Sequence, residues 1–95
     1  MRQLESSLES ALVRTARALG CLVYKCHERN APDRLFLTPD LRVFFVEFKR
    51  RGAKPRPEQL HEHERLRARG LHVYVVDNRE QGLEVITHEI FGDAQ

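Results

Sequence analysis

The sequence lacks any long apolar run. No stretch of its 95 residues approaches the roughly 20 consecutive apolar residues that span a bilayer, which excludes an ordinary transmembrane helix. The opening segment Met1-Arg2-Gln3-Leu4-Glu5 is charged and leads into an amphipathic segment, so it has no apolar centre typical of a secretory signal peptide. We therefore expect a protein that works in the cytoplasm and does not bind a membrane.

Cysteine is scarce, with only Cys21 and Cys26 in the chain. If the segment between them is an extended strand, two positions five apart point to opposite faces, which does not favour a disulfide. A zinc site built from these cysteines and His27 would need a second CxxC-type pair, which the sequence does not contain. We expect both thiols to be reduced, in keeping with a cytoplasmic location.

A strong charge of one sign is also missing, because the formal net charge is only +2. This value is too small to indicate a nucleic-acid-binding protein by itself. The distribution of charge is more informative, since the segment 49–56 carries five basic residues and no acid: Lys49, Arg50, Arg51, Lys54 and Arg56. A basic loop of this kind can hold a phosphate backbone, although it can also be a solvated loop that aids solubility.

The five histidines do not form a recognisable metal motif. The segment His61-Glu62-His63 differs from HExxH, whose two histidines stand four positions apart and share a helix face. We expect His63, between Gln59 and Leu66 on the inward side of a helix, to be a half-buried packing residue. We expect His61 to be solvated.

Hydrophobic periodicity predicts a single α/β domain over residues 1–95, with hydrophobic content of 41% sufficient for one small core. Helices are predicted over about 3–19, where Gly20 provides a stop, and over about 57–69, where Pro57 suits a first turn. Leu83, Ile86 and Ile90 indicate a last helix. The predicted strands cover 21–26, 33–37, 42–49 and 72–76. The order is αβββαβ(α), a small mixed sheet flanked by helices.

The end of the third predicted strand combines apolar and charged residues in an unusual way. The run Val43-Phe44-Phe45-Val46 is typical of a strand buried on both faces, and Glu47 and Lys49 follow it on one side of the sheet. A second acid, Asp33, opens the preceding strand. Buried charges require partners or a metal ion. Two carboxylates and an ammonium suit metal-assisted phosphodiester hydrolysis, because hard divalent cations bind carboxylate oxygens together with substrate phosphate.

At these residues the sequence resembles the VRR-NUC branch of the PD-(D/E)XK nuclease superfamily. The ordered matches are Glu9, Gly20, Tyr24-Lys25, Asn30 to Leu35, Phe45 to Lys49, Lys54-Pro55, Gln59, Leu66, Gly70 and Val73 to Val75. The sequence departs from the family at Asn30, where a glycine is usual. Because asparagine tolerates a left-handed backbone, we expect this turn to survive.

The resemblance implies a restriction-endonuclease-like core and a set of site residues. The implied ligands of Mg²⁺ or Mn²⁺ are Asp33, Glu47, the backbone carbonyl of Phe48, and Glu9 of the first helix. Lys49 would orient or deprotonate the attacking water, Gln59 would position water or phosphate, and Lys25 would contact phosphate. Glu5, one turn from Glu9, could take its place. Ordinary alternatives are a solvated Glu9 or Lys25, a helix-start Gln59, and a Glu47–Lys49 salt bridge with Asp33 as a turn acid.

Three functions therefore remain open. The first is a metal-dependent endonuclease acting on DNA, which the resemblance suggests is branched, for example a Holliday junction. A junction has two-fold symmetry, so cutting both strands implies a homodimer. The second is a non-catalytic nucleic-acid-binding module of the same fold. The third is a scaffold subunit, for which the sequence offers no positive feature.

Overall fold

The inner stripe of the first helix is formed by Leu8, Leu12 and Ala16, which recur at helical spacing and are all buried. The computed structural model describes residues 5–92. The helices are α1 (Glu5–Ala18), α2 (Pro57–Ala68) and α3 (Arg79–Phe91). The strands are β1 (Leu22–Lys25), β2 (Arg34–Leu37), β3 (Val43–Phe48) and β4 (His72–Val76). None of the helices in this described part is long and apolar enough to cross a membrane.

The four strands form one mixed sheet in the order β1-β2-β3-β4. Strand β2 is antiparallel to both of its neighbours, β1 and β3, whereas β3 and β4 are parallel. The parallel step needs a crossover, which α2 supplies. The predicted order αβββαβα and the mixed sheet are confirmed, and the described element ends lie within about two residues of the predicted ones where both are defined.

Helices α1 and α3 pack on one face of the sheet, and α2 packs on the other against β4. The core on the α1 side includes Phe36, Phe44 and Phe48, each fully buried. Alternation along β3 then sends Phe45, Glu47 and Lys49 to the α2 side. This arrangement places the predicted acidic and basic residues beneath the start of α2.

Helix α3 begins earlier than its apolar periodicity indicates. The sequence suggested a polar turn at Asp77-Asn78-Arg79, but Arg79 is already helical because the side chain of Asn78 caps the helix and accepts a hydrogen bond from the Gln81 amide at 2.8 Å. The predicted beginning of the first helix at residue 3 lies outside the described residues.

Candidate active site

Strand register places Asp33 across from Glu47. Arg34 pairs with Val46 in the antiparallel ladder, so the position before Arg34 faces the position after Val46. The Asp33 carboxylate also accepts a hydrogen bond from the backbone amide of Phe48 at 2.7 Å, which ties it to the end of β3. The two predicted carboxylates are therefore brought to neighbouring strand ends on the α2 side.

The turn that leads into Asp33 has the left-handed backbone conformation that was expected at Asn30. Asn30 has a φ of 66°, in the left-handed region that asparagine tolerates better than most side chains. Pro32 is fully buried, and the backbone amide of Cys26 donates to the Asp33 carbonyl at 2.9 Å. The expectation that asparagine preserves this turn is confirmed.

Glu47 is a buried carboxylate with charged and polar neighbours. Its side chain is only 2% exposed, and Lys49 Nζ lies 3.3 Å from Oε2. Gln59 Nε2 donates to the same oxygen at 3.0 Å, and Lys49 Nζ donates to Gln59 Oε1 at 3.1 Å. The three predicted residues thus form one connected group. These contacts are compatible both with a catalytic role and with a simple salt bridge between Glu47 and Lys49.

Gln59 belongs to this group because of where α2 begins. Arg56 is the residue before the helix and Pro57 the first within it, and Gln59 Oε1 accepts a hydrogen bond from the Arg56 amide at 2.9 Å. The glutamine therefore satisfies a backbone donor at the helix start while its amide nitrogen reaches Glu47. Gln59 therefore makes both the helix-start contact and the contact with the candidate site.

His63 lies at the site as well, a position that the pattern of its sequence neighbours did not indicate. The residue was expected to be half-buried, but its side chain is 0% exposed and its Nε2 lies 3.5 Å from Glu47 Oε1. Burial lowers the pKa of His63 from its ordinary value, and nearby Arg67 and Lys49 lower it further against the opposing charge of Glu62, which favours the neutral ring. The available signal was its position one helical turn after Gln59. His61 is exposed, as expected.

Glu9 is not joined to this group by any described hydrogen bond. Its carboxylate accepts from Arg34 Nε at 2.6 Å. Arg34 pairs with the core residue Val46 and so faces α1, on the opposite side of the sheet from Glu47. The structure thus places Glu9 on the α1 face, in an ion pair with Arg34. Arg34 is the residue that directly follows Asp33 in the chain. The side chain of Glu5, the other candidate, lies outside the described part of the chain.

The basic loop between β3 and α2 is directed to solvent. Its exposed cations are Arg50, Arg51, Lys54 and Arg56. The loop is held at its middle, where the Gly52 amide donates to Asp77 at 3.0 Å, and this hydrogen bond is the main reason that the pKa of Asp77 lies below its ordinary value. Lys25, at the end of β1, is exposed and pairs with Arg34 in the ladder.

The donor set suits a hard cation that keeps water ligands. Within residues 5–92 there is no group of three or more His, Cys, Asp or Glu side chains placed to hold a metal ion. Mg²⁺ commonly binds through only one or two carboxylates together with water and substrate phosphate, which Asp33 and Glu47 could provide. A cysteine zinc site gains no support, since Cys21 and Cys26 are free thiols whose pKa values are raised, mainly by burial.

This α/β fold is shared with proteins of the nuclease type. The chain is 43% identical over 79 residues to "Putative nuclease p44" of Acyrthosiphon pisum secondary endosymbiont phage 1, covering 80% of this chain and 85% of that protein. A solved structure described as "VRR_NUC domain" superimposes with a TM-score of 0.82 at 39% identity, covering 88% of this chain and 95% of that one. No protein-family model matches the sequence. The chain belongs to the VRR_NUC family.

Proposed function

We propose that the protein is a divalent-metal-dependent endonuclease that hydrolyses DNA phosphodiester bonds. The observation that carries this proposal is the strand register, which sets Asp33 across from Glu47 at adjacent strand ends. Lys49 Nζ lies 3.3 Å from the Glu47 carboxylate. Membership of a nuclease-type family supports the same conclusion.

In this proposal Asp33, Glu47 and the backbone carbonyl of Phe48 hold Mg²⁺ or Mn²⁺. When bound, the ion would polarise the scissile phosphate and stabilise charge on the leaving oxygen. Asp33 is held by the Phe48 amide at 2.7 Å, and Glu47 by Gln59 at 3.0 Å, so both carboxylates are positioned before substrate arrives. Glu9 would join only after leaving Arg34 and reaching past the strand ends from the α1 face.

Lys49 would act on the attacking water and on phosphate charge. Its ammonium is already held by Glu47 and Gln59 and is 14% exposed. A cation fixed in a partly dehydrated site stabilises developing negative charge more effectively than one in bulk water. Gln59, which contacts both partners, would keep Lys49 and Glu47 in a constant relative position.

The DNA backbone would lie along the basic loop. Arg50, Arg51, Lys54 and Arg56 are exposed and follow Lys49 directly in the chain. These four side chains offer phosphate contacts that carry no sequence information, which suits an enzyme selecting DNA by shape. Lys25 pairs with Arg34 and so lies on the α1 face of the sheet, and its proposed phosphate contact would be made from that side. We include branched DNA, for example a Holliday junction, as the proposed substrate.

A homodimer completes the proposal, because two-fold symmetric DNA requires two active sites. On the α2 side of the sheet, Leu22 and Tyr24 of β1 are 54% and 55% exposed, and they pair with Leu37 and Leu35 of β2. This apolar face lies beside the active site and offers a surface for a second copy of the chain. The free thiols of both cysteines fit the proposed cytoplasmic location.

The test is a comparison of two classes of variant on labelled junction, flap, single-stranded and linear DNA, with Mg²⁺ or Mn²⁺ for cleavage and with EDTA for binding. Asp33→Ala, Glu47→Ala and Lys49→Ala should each slow cleavage by about 100-fold or more while DNA binding persists. Arg51→Ala and Arg56→Ala should weaken binding and reduce the salt slope by about 1 per lost phosphate contact.

Undiminished cleavage by any variant of the first class would refute the assigned site. If the wild type binds DNA but cleaves none of these substrates, the protein is a binding module of the same fold, and the Glu47–Lys49 contact is a structural salt bridge. A protein that neither binds nor cuts DNA would fit the scaffold hypothesis.

A further inference from the structure

His63 is a fully buried polar side chain of α2 with no hydrogen bond of its own. Neither ring nitrogen has a hydrogen-bond partner in the described part of the chain, and the side chain is 0% exposed. Burying an imidazole without hydrogen bonds is unfavourable. An apolar side chain would therefore serve better if packing were the whole role of this position.

The ring faces the carboxylate of Glu47 from the side that Gln59 does not occupy. Gln59 Nε2 and Lys49 Nζ both approach Oε2, at 3.0 and 3.3 Å, whereas His63 Nε2 lies 3.5 Å from Oε1. Gln59 and His63 stand one turn apart on the same face of α2. A single helix thus presents one nitrogen to each oxygen of the carboxylate.

We propose that His63 is a positioning residue that fixes the rotation of the Glu47 carboxylate. With its proton on Nε2, the ring directs an N–H at Oε1 while the Gln59 amide holds Oε2. The present 3.5 Å separation is longer than a hydrogen bond, and contacts of this kind commonly shorten in the complete complex. The proposal rests on the proposed function, in which Glu47 is a metal ligand.

The consequence is a metal affinity that depends on a residue outside the ligand set. A carboxylate fixed at both oxygens offers the same lone pairs at all times, and loss of such an outer partner typically weakens metal binding about 10- to 100-fold. This effect separates positioning from packing, because a residue that only fills space would alter stability without a matching change in metal affinity.

The experiment measures Mn²⁺ and Mg²⁺ binding to the purified protein by calorimetry, with circular dichroism and thermal unfolding as controls for the fold. His63→Leu should bind Mn²⁺ about 10- to 100-fold more weakly. His63→Gln should bind nearly as the wild type does, because its amide N–H reaches about as far as Nε2. His63→Asn should resemble His63→Leu, because its shorter amide cannot reach Oε1. The matched control is His61→Leu, an exposed position on the same helix, which should change nothing.

Equal Mn²⁺ affinity of wild type and a folded His63→Leu would overturn this inference while leaving the proposed function intact. If His63→Leu does not fold, the glutamine and asparagine variants decide, and equal affinity of those two would also overturn it. A wild-type protein that takes up neither ion would end both proposals together.

Discussion

Gln59 shows how one side chain can serve a helix start and a site at once. Its oxygen accepts from the Arg56 amide and from Lys49, and its nitrogen donates to Glu47. The residue is 7% exposed, so water cannot readily replace these partners. Position three of the helix is therefore constrained by the backbone and by the chemistry together.

We predict that Gln59→Met, which keeps the approximate size and removes all three hydrogen bonds, lowers the free energy of unfolding by about 1.5–3 kcal/mol, as for hydrogen bonds to charged groups. DNA cleavage should also slow, because Glu47 and Lys49 lose their common partner. Urea unfolding and single-turnover cleavage measure the two effects. Glu58→Gln, at the exposed neighbouring position, is the control, and equal behaviour of the two variants would contradict the assignment.

At the scale of elements, α3 is joined to β4 by a buried acid. Glu89 is 1% exposed and accepts hydrogen bonds from the Tyr74 hydroxyl and, at 2.6 Å, from His72 Nδ1. Arg42 donates to the Glu89 backbone carbonyl from the other side. Burial raises the pKa of Tyr74, and the hydrogen bond to Glu89 and the negative charge of Glu89 raise it further.

The raised pKa makes this connection sensitive to alkali. A group whose pKa is higher in the folded state contributes stability that is complete below its unfolded pKa, about 10 for tyrosine, and that is lost as the pH rises beyond it. Tyr74→Phe should therefore destabilise the protein by about 1.5–3 kcal/mol at neutral pH, and the difference should shrink at alkaline pH. Urea unfolding at several pH values tests this. Glu58→Gln, at an exposed position, is the control, and a difference between Tyr74→Phe and wild type that stays constant as the pH rises would disprove the prediction.

The packing of α3 on α1 depends on a residue without a side chain. A Cβ added at Gly82 would lie 2.2 Å from Leu12 Cδ1, and Leu12 is itself 1% exposed in the core. Gly82 is also buried and lies in the first half of α3. Glycine inside a helix normally lowers stability. The close approach of α1 and α3 explains why a glycine is nevertheless present at position 82.

At the scale of the whole molecule, the two faces of the sheet are covered unequally. Helices α1 and α3 cover one face, while α2 packs on β4 and reaches β3 through Gln59 and His63. Leu22 and Tyr24 at the other edge of the α2 side are more than half exposed. Contiguous exposed apolar residues on a sheet often mark an interaction surface.

We predict that the protein is a dimer in sedimentation velocity and that the double variant Leu22→Lys with Tyr24→Lys is a monomer with an unchanged circular-dichroism spectrum. Charge on this face would have to be desolvated in the dimer, which opposes association. The monomer should nick a junction without making paired cuts. Phe91→Lys places the same charge on an apolar residue that is 66% exposed in α3 and should remain dimeric. A monomeric wild type, or a double variant that still dimerises, would rule out this interface.

The sequence by itself determined the elements and part of the site. Apolar periodicity, Gly20, Pro57 and the buried run before Glu47 are local signals, and each acts within a few residues. Alternation along β3 was sufficient to put Glu47 and Lys49 on one side of the sheet. The order of the helices and strands followed from the same signals.

Only the tertiary structure decided which partners these residues have. It paired Glu9 with Arg34 on the α1 face, brought His63 to Glu47, and left Leu22 and Tyr24 exposed. These outcomes depend on strand register and on where α2 crosses the sheet, and they join positions that are far apart in the chain. Local propensity cannot specify them, because such contacts form only when distant elements bury their apolar faces against one another.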